Sequence, residues 1–479
     1  MLFRMLYDDL LAQASYLIGC QRTGQALVID PERDVQRYLD LARREGLRIT
    51  AIAETHIHAD FLSGARELAE RMPARLYLSN EGGEQWKYRW LQQKKAGGNY
   101  EHDLLTHGDR FKIGNLEIEA LHMPGHTPEH LCFLITDHGG GANEPMGIIT
   151  GDFVFAGDVG RPDLLETAAG QSGAAQQSAR ALYHSLQRFR SLPDYLQLWP
   201  GHGAGSACGK ELGSVPQSTV GYEKLFNPAL RASQKSEEFF IEEILAGQTE
   251  PPYYFSRMKR ENKLGPKLLE KWPAPPRLNI AELAERASEN TAIVDTRSWP
   301  EFCAAHLPGA LYAPLTNDFP TITGSYIEPQ NEIYLIVPET RVQEAITALI
   351  RIGLDNISGY ATPQNLAEYQ SAGGKLHMIE EIDGEELQQR LQQKRVRVLD
   401  VRSAFEFELG HIAGAVHVAH TRLLPHLQDL PRDRPLVVHC QKGERSPGAV
   451  AMLAHHGFEV VHLANGLRSW LRIGGELEC

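Results

Sequence analysis

What the chain has little of narrows its class first. Its 479 residues hold six cysteines, Cys20, Cys132, Cys208, Cys303, Cys440 and Cys479, far apart and with no Cys-x-x-Cys pair. So few dispersed thiols in so long a chain argue against a disulfide framework, and a reducing, cytoplasmic setting is expected. Basic residues are in deficit, 48 Lys and Arg against 61 Asp and Glu, for a net charge of −13. That balance gives no electrostatic reason to bind nucleic acid or an anionic membrane. No window approaches the run of about 18 apolar residues that a membrane span needs. The N-terminal MLFRMLYDDLLAQASYLIGC places Asp8 and Asp9 in its weakly apolar stretch and lacks the apolar run of a signal peptide.

What is present is a globular composition, 42% hydrophobic and 23% charged. The length suggests roughly three domains. Residues 1–250 alternate short apolar runs with helical patterns. ALVIDP ends in an acidic turn, and LRITAIAET runs into a histidine cluster. LEIEALHMPGH, GIITGDFVFAG and YLQLWPGHGAG follow the same plan, and residues 171–192 read as a helix. Candidate ligands thus sit just after strand ends, where loops converge into a site. Residues 251–274 are rich in Pro and charge and read as a linker. Two similar units then follow, IVDTRSWPEFCAAHLPGALYAP (293–314) and VLDVRSAFEFELGHIAGAVHVA (398–419). Their offset of about 105 residues is too long for a solenoid repeat, so two tandem α/β domains are expected, 275–375 and 376–479.

Four segments of the first part supply metal candidates: THIHAD (His56, His58, Asp60), PGHTPEH (His126, His130), TGD (Asp152) and PGHG (His202). A lone histidine is more often structural, but four strand-end motifs in series point to a metal. Two imidazoles and a carboxylate on one face form the triad of non-haem ferrous oxygenases, with positions left open for substrate and oxygen. His56, His126 and Asp152 are assigned to that triad. His58 and Asp60 then orient ligands or bind water, and His202 faces the space of a second metal. The competing reading is zinc with four ligands, His58 among them, activating water for hydrolysis.

Residues 1–250 resemble the persulfide dioxygenases, iron-dependent relatives of glyoxalase II in the metallo-β-lactamase superfamily. ETHIHADFLSG, MPGHTPEH, TGDFVFAGDVGRPDL and GHGAGSACGK carry the resemblance. Two-metal hydrolases of that superfamily read His-x-His-x-Asp-His where this chain has Phe61 as the last residue. A phenyl ring cannot ligate, which favours one metal over two. The resemblance implies an αββα sandwich holding one Fe(II), which oxidises a persulfide with O2 to sulfite and thiol. Zinc, the alternative metal, offers no redox chemistry. The persulfide is that of glutathione or another thiol. Asp158, Arg161 and Asp163 read as a turn-stabilising charge set, with Arg161 also a candidate for contacting substrate. Cys208, six residues after His202, is either a packed thiol or a carrier of sulfane sulfur. Cys20 is similar with weaker support, and Cys132 belongs to the core.

In the last unit, PLVVHCQKGERSPGAV places Cys440 between a strand and a helix. Backbone N–H groups of such a loop converge on an anion, aided by the helix dipole. The same field stabilises a thiolate. Lys442 and Arg445 add positive charge suited to sulfite or thiosulfate. Cys-x-x-Gly-x-Arg-Ser with the upstream Asp400-x-Arg402 resembles the rhodanese sulfurtransferases. The earlier unit has Pro338 at the cysteine position, so it reads as a catalytically dead rhodanese-like domain, and Cys303 as a packed thiol. A homo-oligomer is the default expectation. A thioester hydrolase and a non-catalytic sulfur relay are the other readings of the whole.

Overall fold

The structure is a computed structural model, and it describes all residues except 168–172, 211, 214–216, 287 and 289. The chain divides into two compact units, Met1–Lys271 and Trp272–Cys479. Among the described residues no helix is long and apolar enough to cross a membrane.

The first unit contains two six-stranded sheets. One runs Leu2–Asp8, Gln13–Cys20, Gln25–Ile29, Arg48–Ala53, Arg75–Ser79 and His102–Leu105 in spatial order. The other runs Ser218–Thr219, Gln197–Pro200, Gly147–Gly151, Leu131–Asp137, Leu116–His122 and Arg110–Ile113. Tyr16, Ile18 and Ile29 of the first sheet join Ile118, Phe133 and Ile149 of the second in a shared buried core. A second core packs Tyr38 and Leu68, from helices, against Leu76 and Ile52 of the first sheet. A third sets Leu182, Leu186 and Phe189 of the helix Ala174–Phe189 against Ile148 and Leu198 of the second. Strands buried on both faces need a helical cover on each outer side, which yields an αββα sandwich. That helix is the one expected over 171–192; residues 171 and 172 lie outside the described residues.

The second unit contains two parallel sheets of like plan. Leu311–Tyr312, Thr291–Asp295, Glu332–Ile336 and Ile357–Ala361 form the first. Val416–His417, Arg397–Asp400, Leu436–His439 and Val460–Leu463 repeat that order in the second, with Glu380–Ile382 added at one edge. The repeated Asp-x-Arg acts alike in both copies. Arg297 forks onto Asp295 and donates to Ala305 O, and Arg402 forks onto Asp400 and donates to Gly410 O.

The linker expected over 251–274 is corrected. The helix Phe255–Leu264 belongs to the first unit and buries Phe255, Arg257, Met258 and Asn262. Its high charge masked a one-sided buried face of two apolar and two polar residues, which a composition reading does not resolve.

Candidate metal centre and sulfur-transfer loop

The histidine cluster follows the strand Arg48–Ala53, and Asp152 follows Gly147–Gly151. Strand ends of both sheets thus deliver ligands to one point. One candidate ligand atom from each of His56, His126 and Asp152 lies within 4.8 Å of the others, and all three residues are buried. His126 Nε2 is 3.6 Å and His56 Nε2 3.9 Å from Asp152 Oδ2. Asp60, His202 and Cys208 form an adjoining cluster. His202 Nε2 bridges the two, 3.2 Å from Asp60 Oδ2 and 3.3 Å from Asp152 Oδ2.

The rings are fixed from behind. His126 Nδ1–H donates to Arg161 O (3.1 Å), and His202 Nδ1–H donates to Ala12 O (3.1 Å). Thr55 Oγ1 donates to Asp30 Oδ2 (2.9 Å), which leaves it to accept from His56 Nδ1 (2.9 Å). The Nε2 atoms of His56 and His126 therefore present their lone pairs to the cluster, the tautomer a metal requires, whereas burial opposes protonation of His202 but Asp152 prevails and raises its pKa. Burial lowers the pKa of His56 and of His126, keeping both imidazoles neutral. Burial opposes ionisation of Asp152, but His202, His56 and His126 outweigh it and hold the carboxyl well below its usual range.

A buried donor set of this kind demands a partner. His56 Nε2, His202 Nε2 and both carboxylate oxygens of Asp60 and of Asp152 are buried without a well-aligned hydrogen bond. Such orphaned groups are costly unless something binds them, and a cation fits their chemistry. Gly201 makes room for the carboxylate, since a Cβ there would meet Asp152 Oδ1 at 2.6 Å.

His58 turns away from the triad. Its Nε2 lies 3.2 Å from Asp30 Oδ1. Burial opposes its protonation, yet the Asp30 carboxylate prevails and pushes its pKa up to about 9. Phe61 is wholly buried with its ring 4.4 Å from that of His58. His130 Nε2 accepts the backbone N–H of Asp152 (3.1 Å) and so supports the carboxylate rather than the metal. Arg161 forks onto Asp163 and donates to Thr249 O, so its guanidinium serves the loop. Its backbone N–H holds Cys208 O (3.0 Å). Cys208 is buried, and burial, then Asp60 and Asp152, push its thiol up to about 12.

Cys440 sits at the expected strand-to-helix junction, before the helix Ser446–His455. Its Sγ accepts from Gly443 N (3.2 Å), Arg445 N (3.4 Å) and Ser446 Oγ (3.5 Å). Gly443, at φ 89°, turns the loop in a region that favours glycine. Burial opposes the thiolate, but these donors and the Arg445 charge win, and the pKa of Cys440 is lowered. Arg445 also makes a two-pronged ion pair with Glu406 (2.6 and 2.7 Å), so its charge is shared with a carboxylate. Lys442 is exposed. In the earlier repeat, Pro338 leads into a single turn, Glu339–Arg341, without a thiol.

The metallo-beta-lactamase superfamily model matches residues 8–202, and the rhodanese-like domain model matches residues 383–473. A crystal structure of a metallo-beta-lactamase from Staphylococcus aureus subsp. aureus COL is 41% identical, with a TM-score of 0.67. The match covers 76% of this chain and 99% of that one. The chain belongs to the metallo-beta-lactamase superfamily. It joins a metallo-beta-lactamase domain to a C-terminal rhodanese-like domain. The human mitochondrial persulfide dioxygenase ETHE1 is 27% identical over 241 residues, 50% of this chain and 78% of that protein. A hydroxyacylglutathione hydrolase of Nitrosococcus oceani is 30% identical over 190 residues, 39% of this chain and 61% of that protein.

Three contributors to the metallo-beta-lactamase domain's site escaped the sequence reading. Asp30 holds Thr55 N (2.7 Å), Thr55 Oγ1 and His58. Its strand-end place in ALVIDP was the available signal. Asn262 donates to His58 O (2.9 Å) and Phe61 O (2.7 Å) and accepts from Ser63 N (2.8 Å). Tyr254, buried at the start of the same helix, has its phenol pKa raised by burial and then by Asp60 and Cys208. Nothing local in the sequence marks either as part of a site.

Proposed function

We propose that the chain oxidises a small-molecule persulfide with O2 in its first unit and moves sulfane sulfur at Cys440 in its second. The observation that carries the first half is the buried, neutral-imidazole triad His56, His126 and Asp152, with Phe61 in place of a second-metal ligand. Fe(II) held by these three residues would supply open coordination positions and the redox capacity that O2 chemistry needs. Homology to persulfide dioxygenases supports the same choice. The chain's own residues set the stage. Thr55 and Arg161 fix the tautomers of His56 and His126, Ala12 orients the His202 ring, Asn262 ties down the His58–Ser63 turn, and Tyr254 and Cys208 lie toward the Asp60–His202 side. We place the persulfide sulfur on that side, with Cys208 as a candidate sulfur carrier. The balanced reaction takes R–S–SH, O2 and water to R–SH, sulfite and two protons.

At Cys440 the thiolate attacks the sulfane sulfur of a donor such as thiosulfate. A new S–S bond forms, the donor's S–S bond breaks, and sulfite leaves with the electron pair. The reverse direction consumes the sulfite made by the first unit. We assign residues 275–375 as the non-catalytic rhodanese-like domain and 376–479 as the active one. The reducing, cytoplasmic setting and the homo-oligomer belong to this proposal.

A zinc thioester hydrolase is the second reading, supported by the hydroxyacylglutathione hydrolase relative. Oxygen uptake by iron-loaded full-length chain on adding glutathione persulfide separates the two. Uptake with sulfite release, lost in His126→Ala and kept in Cys440→Ser, is the expected result. No uptake with glutathione or coenzyme A persulfide, together with anaerobic thioester turnover, would overturn the dioxygenase reading.

A further inference from the structure

Behind Cys440 runs a continuous chain of polar groups that sulfur transfer as described does not use. Ser446 Oγ lies 3.5 Å from Cys440 Sγ and 2.9 Å from His462 Nε2. His462 Nδ1 lies 2.7 Å from Glu381 Oε1. That carboxylate oxygen also accepts Trp299 Nε1–H (3.0 Å), and the Trp299 ring packs edge-on to His462, 5.1 Å between centroids. Ser446 and His462 are buried. Glu381 stands on the extra edge strand, and Trp299 comes from the repeat that lacks the cysteine.

The carboxylate fixes the imidazole. It accepts Nδ1–H, so Nε2 carries the lone pair and accepts from the Ser446 hydroxyl while Cys440 is a thiol; once the thiolate has formed, the Ser446 proton points to Cys440 Sγ. The groups facing His462 are Glu381, Trp299 and Ser446, with His439 near it and the Asp400–Arg402 pair beyond His439. Arg445, paired to Glu406, faces Cys440, and Cys303 lies against Glu381. Burial lowers the pKa of His462, with Glu381 opposing, so the ring rests neutral and able to take a proton.

We propose that Glu381, His462 and Ser446 form a buried relay that takes the proton from Cys440, with Trp299 of the cysteine-less repeat holding its far end. The inference rests on the sulfurtransferase reading above. Cys440 Sγ–H gives its proton to Ser446 Oγ as the Ser446 proton passes to His462 Nε2. The products are a Cys440 thiolate and an imidazolium held against the Glu381 carboxylate. The thiolate then attacks the sulfane sulfur, and no oxidant or reductant is consumed. The cysteine-less repeat is thereby a working part of the active one. Its Tyr312 O, Tyr326 and Ile322 also line the face of the helix Ser446–His455 at Gly448.

The test is a single-turnover measurement on the full chain. The rate of Cys440 persulfide formation from thiosulfate is followed by peptide mass across pH. In Ser446→Ala and His462→Gln the rate near pH ~6.5 should fall about tenfold or more, within the range of general-base contributions. Near pH ~9.5, where the thiol ionises unaided, the rates should approach wild type. Trp299→Phe, which keeps the ring and removes the N–H, should shift the profile the same way by less. A loss equal at all pH values, or none, overturns the relay alone, and so does a pH-dependent loss in Ser446→Ala that His462→Gln does not share, since Ser446 also donates directly to Cys440 Sγ. No sulfur uptake by wild type at any pH overturns the sulfurtransferase reading and the relay with it.

Discussion

Replacing Asn262 with alanine tests whether the helix Phe255–Leu264 builds the metal centre. The side chain is buried and makes three hydrogen bonds to the turn that carries His58 and Phe61. Alanine leaves the Ser63 N–H buried without its acceptor, at a cost of about 1–3 kcal/mol. Two carbonyls lose a donor and a small void opens, so the loss comes to about 3 kcal/mol in all. For a unit of this size that corresponds to ~6–12 °C in melting temperature. The Trp90 Nε1 bond to Asn262 O is a backbone contact and survives, so the helix stays docked. The turn holding His58 and Asp60 loosens, and metal affinity should fall about 10–100-fold, as for other groups that orient ligands. Thermal unfolding of the first unit and competition with a chelator read the two effects. A loss under ~1 kcal/mol with unchanged metal affinity would refute the reasoning, because three buried bonds cannot be removed so cheaply.

Three further outcomes are expected. Phe61→His should let the Asp60–His202 side take up a second metal ion per chain, counted by elemental analysis after dialysis. Unchanged stoichiometry would show that the phenyl ring is not what excludes it. Asp30→Asn removes the charge that holds His58 and weakens the Thr55 link to His56, so iron affinity should drop about 10–100-fold, checked by the same chelator competition. Glu406 is held down at about 2, burial opposing and Arg445 prevailing. A folded-state pKa below the unfolded ~4.3 gives stability that is full above that value and is lost as pH falls toward 2. Glu406→Gln should therefore flatten the acid limb of the second unit's stability between about pH 4 and 2, measured by denaturant unfolding.

How much of this was legible in the chain depends on how local the information is. His56, His126 and Asp152 were readable as candidates because each lies just past a strand end, His126 and Asp152 directly after Gly, and ligand chemistry limits the residue types. The Cys440 loop was readable because the whole cradle lies within a few consecutive residues. Phe61 was readable as a departure from the six-residue pattern His-x-His-x-Asp-His. The helix Phe255–Leu264 was misread as a linker. Its contacts to Ser63, His58 and Trp90 reach about 200 residues back along the chain, and its own composition is charged. Arg161 showed a charge pattern, but not that its backbone carbonyl would hold His126 and its guanidinium would turn to Asp163.

By itself, then, the sequence determined the αββα and tandem α/β plan and supplied the candidate ligands and the candidate nucleophile, because periodicity and short motifs encode these locally. Tertiary structure alone brought Asp30 to within 3.2 Å of His58, and placed Asn262 and Tyr254 beside the histidine cluster. It also decided that Trp299 of the cysteine-less repeat reaches Glu381 behind Cys440. These are meetings of residues distant in the chain, fixed by how sheets and helices pack. No local pattern specifies them.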